Sequence, residues 1–241
     1  MIEKKVSWEA AGRQFEGMLV YDDSVKSKRP AVFMQPDWKG VCADTIEQAR
    51  DVAGKDYVVL MADMYGAGYG AKEKTQQDLM TAAQALRKDV PFIIGGGAKA
   101  FETLTAEAEK LGLIDKSKSI AIGYCMGGGV ALEQARAGAD FKATIVFHVT
   151  APNPVVPGTK CGIKGRVLAI HGAADPITPK PAMDALEAEL TAAKIDWEFV
   201  LFGHAVHSFC DRTANAGPTR YDAKLCKKAY ALMRDYIAET I

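Results

Sequence analysis

The pentapeptide Gly123-Tyr124-Cys125-Met126-Gly127 constrains this chain more than any other stretch. Before it, Ser119, Ile120, Ala121 and Ile122 form a short apolar run that reads as a buried strand. After it, Gly128 and Gly129 lead into residues 130–135, which read as a helix. A strand that passes so abruptly into a helix needs glycine two places either side of its central residue. Side chains there would meet the neighbouring strand or helix. The central residue is then held in a strained backbone conformation that lifts its side chain over the sheet edge. Here that residue is Cys125, and the helix N-terminus beyond it favours negative charge at the sulfur. The competing reading is a buried, inert thiol, since free cysteine is among the most buried residue types.

The pattern around this turn is that of alternating strands and helices. Residues 2–21 carry an interrupted alternation (Val6, Trp8, Phe15, Gly17, Leu19) that predicts a hairpin turning near Gly12. Residues 31–34 are a short apolar run that stops at Pro36, and 37–40 follow as a loop. A helix is expected over 45–55, with Gly54 as its C-cap. Residues 57–62 are continuously apolar, which suits a strand covered on both faces. A glycine-rich loop occupies 66–70, and 76–87 read as a helix. Pro91 and the triplet Gly95, Gly96 and Gly97 are expected to break that helix, with helical pattern resuming over 99–111. The excursion 66–98 is expected to border the functional site. Strands are predicted at 143–147, 166–170 and 197–202, helices at 180–194 and 221–241, and a loop at 152–165. Such alternation implies one α/β domain over residues 1–241, with a mostly parallel, doubly wound sheet and helices on both faces.

In a parallel sheet, functional side chains gather beyond the carboxyl ends of the strands. That filter picks out Asp37 and Trp38, Asp63, Cys125, His148, His171, Asp175, His204 and His207. The order nucleophile, acid, histidine is that of α/β-hydrolases, and Cys125, Asp175 and a late histidine satisfy it. Asp175 reads alternatively as a turn or capping aspartate ahead of the helix at 180. His204 and His207 are both candidates for the base, while His148 and His171 read as packing or supporting residues.

These residues carry a resemblance. Gly123 to Gly128, the loop Gln35-Pro36-Asp37-Trp38-Lys39-Gly40, the segment Asp63-Met64-Tyr65-Gly66, the loop 172–179 and His207-Ser208-Phe209 resemble the dienelactone hydrolase family, over nearly the whole chain. The resemblance implies a Cys125–His207–Asp175 triad, because the family's histidine precedes a small residue and phenylalanine, as His207 does and His204 does not. It implies a thiolate nucleophile, an imidazole base, an orienting carboxylate, and an oxyanion held by the backbone N–H groups of Met126 and Trp38. It implies no cofactor and no metal. The family's dienelactone enzymes carry a glutamate that holds the resting thiol. Asp37 stands there in this chain, one methylene shorter, and reads alternatively as a loop aspartate bonded to nearby backbone. The same enzymes hold the substrate carboxylate with arginines. Arg212 and Arg87 are the candidates, Arg212 following the acid Asp211, and both read alternatively as surface residues. Tyr65 and Tyr124 complete the expected substrate-binding set.

The resemblance implies hydrolysis of dienelactone (carboxymethylenebutenolide) or a related small ester. A broader carboxylesterase or thioesterase, and a catalytically silent binding module, are the alternatives. Formal net charge is zero over 241 residues, which argues against nucleic acid or an anionic membrane surface as the partner. No secretory leader or membrane-length apolar run is apparent. The five cysteines are odd in number, far apart and in no C-x-x-C pair, which argues against a disulfide framework or a zinc site and for a reducing cytoplasm.

Overall fold

A computed structural model describes residues 1–150, 153 and 161–241. The chain forms two compact units, Met1–Ala121 and Ile122–Ile241. In the first, β1 (Ile2–Ala10) and β2 (Arg13–Tyr21) make the expected hairpin. Ala11 and Gly12, with φ of 49° and 69°, form a two-residue turn whose left-handed backbone matches the twist of the strands. There follow β3 (Arg29–Gln35), α1 (Ala43–Ala53), β4 (Val58–Met61), α2 (Gln76–Lys88), α3 (Val90–Lys110) and β5 (Ile114–Tyr124), whose last three residues belong to the second unit. Strand order in the first unit is β1-β2-β4-β3-β5, with β2 antiparallel and β3 parallel to β4. The side chains of 31–34 and 58–61 are fully buried, as expected for strands covered on both faces. Each large aliphatic side chain so buried stabilises the fold by about 1.5–3 kcal/mol. Gly54 ends α1 at φ 45°, its N–H donating to the Arg50 carbonyl at 3.1 Å.

The second unit continues with α4 (Met126–Arg136), β6 (Ala143–Phe147), β7 (Arg166–Gly172), α5 (Lys180–Ala192), β8 (Trp197–Phe202) and α6 (Ala223–Thr240). Its strands pair in parallel, β6 with β7 and β7 with β8, so their carboxyl ends lie at one edge. The Cys125 N–H donates to the Phe147 carbonyl at 3.0 Å, and the His148 N–H to Ile170 at 2.9 Å. These two bonds tie the end of β5 to β6, and the end of β6 to β7. The loop expected over 152–165 lies largely outside the described residues. Among the described residues no helix is long and apolar enough to cross a membrane.

One expectation is corrected. The helix from Gln76 does end ahead of Pro91, at Lys88, but the glycine triplet breaks nothing: α3 runs unbroken from Val90 to Lys110. Proline is tolerated in the first turn of a helix, where its missing N–H has no intrahelical partner. The Asp89 side chain caps that turn by accepting from the Phe92 N–H at 3.1 Å. Gly96 is a packing residue, since a Cβ there would stand 2.8 Å from the Phe92 ring. That ring stacks on Phe15 of β2 at 5.5 Å. Gly95 is exposed, with nothing within 4 Å of an added Cβ. Gly95→Ala should therefore stabilise the protein by about 0.5–1 kcal/mol through helix propensity alone. Thermal unfolding should show a Tm raised by about 1–4 °C. Gly96→Ala should lower Tm, and an unchanged Tm in Gly95→Ala would argue against a continuous helix.

Candidate active site

Cys125 has φ 53° and ψ −121°, a region that costs a non-glycine residue on the order of 1–3 kcal/mol. The neighbouring glycines explain how the chain tolerates the turn. A Cβ at Gly123 would stand 2.3 Å from the Gly127 carbonyl oxygen, and one at Gly128 would stand 2.9 Å from Val149 Cγ2. The cysteine backbone is held from both sides, its N–H donating to Phe147 and its carbonyl accepting from the Thr150 N–H, each at 3.0 Å. Helix α4 begins at Met126, so the Met126 N–H belongs to a first helical turn whose N–H groups lack the usual intrahelical acceptors.

His207 Nε2 lies 3.0 Å from Cys125 Sγ, and His207 Nδ1 lies 2.7 Å from Asp175 Oδ2. The carboxylate can only accept, so Nδ1–H donates to it and Nε2 faces the sulfur. The other oxygen, Asp175 Oδ1, accepts from the backbone N–H groups of Ile177 and Thr178 at 2.8 and 3.1 Å. Asp175 therefore closes the turn ahead of α5 with one oxygen and bonds His207 with the other. Burial raises the Asp175 pKa, but the bond from His207, the histidine's charge and the Thr178 N–H outweigh it and hold the carboxyl below its ordinary value. Burial alone would lower the His207 pKa. The Cys125 negative charge and the Asp175 hydrogen bond outweigh that, and the imidazole is pushed up to about 10. The arrangement therefore favours a proton on His207.

The remaining histidines separate cleanly. His204 is exposed. His171 Nε2–H donates to the Thr178 carbonyl at 3.0 Å and lies 3.6 Å from Asp175 Oδ2, and burial holds its pKa below the ordinary value. His148, buried at φ 36°, sets its ring edge-on to His207 at 5.3 Å and to Phe209 at 5.1 Å. Both support the His207–Asp175 pair by packing and polar contact.

Tyr124, expected at the substrate, is fully buried, stacks on Phe147 at 4.8 Å and meets the Tyr230 hydroxyl at 3.2 Å. The side chain thus supports the elbow through the core. Arg212 is exposed, and the carboxylate of Asp211 is engaged by the Thr213 N–H at 3.0 Å and its hydroxyl at 2.8 Å. Asp37, Trp38, Tyr65 and Arg87 belong to the first unit. Asp37 Oδ1 accepts from the Lys39 N–H at 2.8 Å, and its Oδ2 lies 3.5 Å from Lys39 Nζ. The Trp38 carbonyl accepts from the Tyr69 hydroxyl at 3.2 Å, which fixes the peptide of that loop. Tyr65 stacks on Tyr69 at 4.2 Å, and its N–H donates to Asp63 at 2.8 Å. Arg87 is half-buried in the last turn of α2.

Two features escaped the sequence reading. Thr150 places its hydroxyl 3.3 Å from Cys125 Sγ. Cys210 and Cys226 form a disulfide, which runs against the reading that cysteine spacing disfavours disulfides and removes that argument for a reducing compartment. The chain doubles back between them: the Arg220 N–H donates to His207 and the Asp222 N–H to Phe209, each at 3.0 Å. That return brings the start of α6 beside the histidine loop. Among the described residues no cluster of three or more His, Cys, Asp or Glu side chains is arranged to hold a metal ion.

The profile of the dienelactone hydrolase family matches residues 15–241. The solved structure m3DLH is 32% identical, with a TM-score of 0.91 over 100% of this chain and 98% of its own. A second, titled a dienelactone hydrolase-like promiscuous phosphotriesterase, P91, from metagenomic libraries, is 30% identical, with a TM-score of 0.90 over 99% of this chain and 98% of its own. The Caenorhabditis elegans protein K02A2.1 is 32% identical over 139 residues, 52% of this chain and 82% of that one. The chain belongs to the dienelactone hydrolase family, and is a carboxylic ester hydrolase of the α/β-hydrolase fold.

Proposed function

We propose that the chain hydrolyses dienelactone or related small carboxylic esters and lactones through a Cys125 acyl-enzyme. The observation that carries this reading is the line of contacts from Sγ through the imidazole to a buried carboxylate, 3.0 and 2.7 Å long. In this reading the thiolate attacks the carbonyl carbon and forms a C–S bond. The oxyanion accepts from the Met126 N–H. His207 gives its proton to the departing alkoxide oxygen as the C–O bond breaks, leaving a thioester and a neutral imidazole. In a lactone the departing oxygen stays tethered to the acyl group.

Acylation changes what His207 can do. The sulfur's negative charge is the largest influence raising the His207 pKa, and it disappears in the thioester. The neutral imidazole then takes a proton from water, the water oxygen attacks the thioester carbon, and the C–S bond breaks. The carboxylic product leaves, and thiolate and imidazolium are restored. Asp175 keeps the same tautomer and ring orientation through both halves.

Cys125→Ala should lose on the order of 10⁶ in kcat, the scale for removing a nucleophile that acts as part of a unit. Iodoacetamide should label Cys125 and abolish turnover, and near-full activity in the variant would overturn the nucleophile. His207→Ala should lose nearly all turnover and His204→Ala should keep most of it.

The pH profile carries a sign. Below a His207 pKa of about 10 the imidazole is protonated and can supply the departing oxygen. The kcat/KM for an alkyl ester should therefore fall as pH rises through about 10, and a profile flat beyond pH 11 would contradict a stored proton. A phenyl ester with a good leaving group needs that proton less and should show a shallower fall.

A substrate panel tests the class. A lactone bearing a carboxylate should exceed its methyl ester in kcat/KM, and added salt should narrow the gap if Arg87 or Arg212 holds the carboxylate. Measuring both substrates on Arg87→Ala and Arg212→Ala assigns the residue. Equal values throughout would leave a general carboxylesterase. A phosphotriester belongs in the panel because a structure 30% identical is titled a promiscuous phosphotriesterase.

A further inference from the structure

We propose that the Thr150 hydroxyl is a second donor to the Cys125 sulfur, which with His207 stabilises the sulfur whenever it carries negative charge. The inference deepens the reading of Cys125 as nucleophile and rests on it. The sulfur has polar neighbours on two sides, His207 Nε2 at 3.0 Å and Thr150 Oγ1 at 3.3 Å. A threonine hydroxyl ordinarily turns to nearby backbone. This one meets a side chain 25 residues away.

The backbone makes that meeting reproducible. Phe147 accepts from the Cys125 N–H, and the Thr150 N–H returns to the Cys125 carbonyl, each at 3.0 Å. The segment from Phe147 to Thr150 therefore brackets the cysteine residue itself. Between them, Val149 fills the space that a side chain at Gly128 would take, 2.9 Å from an added Cβ. The segment thus follows the elbow from the end of β6 to the first turn of α4, and Thr150 ends where the sulfur is.

Proton bookkeeping assigns the direction of the bond. When the proton is on His207, the sulfur has none and can only accept, so the hydroxyl donates. When the proton is on sulfur it points to Nε2, and the hydroxyl again donates. The hydrogen bond is stronger to the charged sulfur than to the neutral one. Thr150 therefore favours the ion pair over the neutral pair. It also makes each thiolate less nucleophilic, because attack on carbon withdraws the charge that the hydroxyl was bound to.

These two effects oppose each other with pH, and this gives a test that packing alone would not imitate. Alkylation of Cys125 by iodoacetamide is followed by mass spectrometry against pH in wild type, Thr150→Val and Thr150→Ser. The other ionisable groups facing the pair are unchanged in all three: Asp175 behind His207, His171 at 3.6 Å from Asp175, and His148 at 5.3 Å from His207. Thr150→Val keeps the shape of the side chain and removes the donor. Its alkylation should be about tenfold slower on the acid side, the scale of a hydrogen bond to a charged group. At high pH, where the sulfur is ionised regardless, it should be equal or up to about threefold faster, since nucleophilicity rises with basicity at a slope near one half. Thr150→Ser keeps the hydroxyl and should follow the wild-type curve.

A Thr150→Val curve that superimposes on wild type at all pH values would overturn the proposal. So would a Thr150→Ser curve shifted as far as that of Thr150→Val, which would assign the effect to the lost methyl. The readout is chemistry at the sulfur and not turnover, so it separates this inference from the one beneath it. Activity retained in Cys125→Ala removes the nucleophile reading, and the proposal with it. An inactive Cys125→Ala with superimposed alkylation curves removes the role of Thr150 alone.

Discussion

Cys125 is held in backbone space that an L-residue avoids, and the parts around it are arranged so that no relaxed alternative is open. Relaxing φ from 53° would break the bond to Phe147 or the bond from Thr150. It would also turn the chain at Gly123, where there is no room for even a Cβ. The conformational cost, on the order of 1–3 kcal/mol, is spread over a strand end, a helix start and the segment after β6. Each of these elements is also anchored in the core of its unit. The sulfur therefore projects from rigid structure in one direction, and a hydrogen-bonded histidine can be positioned against it with little loss of freedom.

The electrostatics follow from that placement. A histidine buried this deeply would ordinarily be neutral, since burial disfavours the charged form. It is pushed the other way here, with the Cys125 sulfur facing Nε2 and the Asp175 carboxylate facing Nδ1. Asp175 in turn stays ionised chiefly because His207 donates to it and carries charge beside it, with the Thr178 N–H adding to the effect. Neutral His171 lies next to that carboxylate without adding a competing full charge.

Much of this was legible in the sequence, for identifiable reasons. Strands with one apolar character along their length, such as β4, are marked by composition and by turn residues at their ends. The elbow is legible because its glycines are steric necessities, and Gly123 meets backbone in the structure as the motif requires. His207 was separable from His204 only by resemblance to a family, since local pattern treats two histidines in one loop alike. What the sequence hid were features decided by distant packing. Helix α3 passes through three glycines because Gly96 makes room for Phe92 against Phe15. Thr150 and the Cys210–Cys226 pair come together only once the chain has folded back on itself, and no periodicity encodes that return.

The disulfide has a consequence in the unfolded ensemble. Cys210 follows the histidine loop and Cys226 lies in the first turn of α6, a separation of 16 residues. Closing a loop of that size removes denatured-state entropy worth about 3 kcal/mol in the chain-entropy treatment. That contribution is absent from any list of native contacts, and it depends on the oxidation state of the surroundings. Two preparations with the same native contacts, one oxidised and one reduced, would thus differ in stability. Native-state hydrogen exchange would register the difference in the core strands themselves, whose amides exchange only through global unfolding.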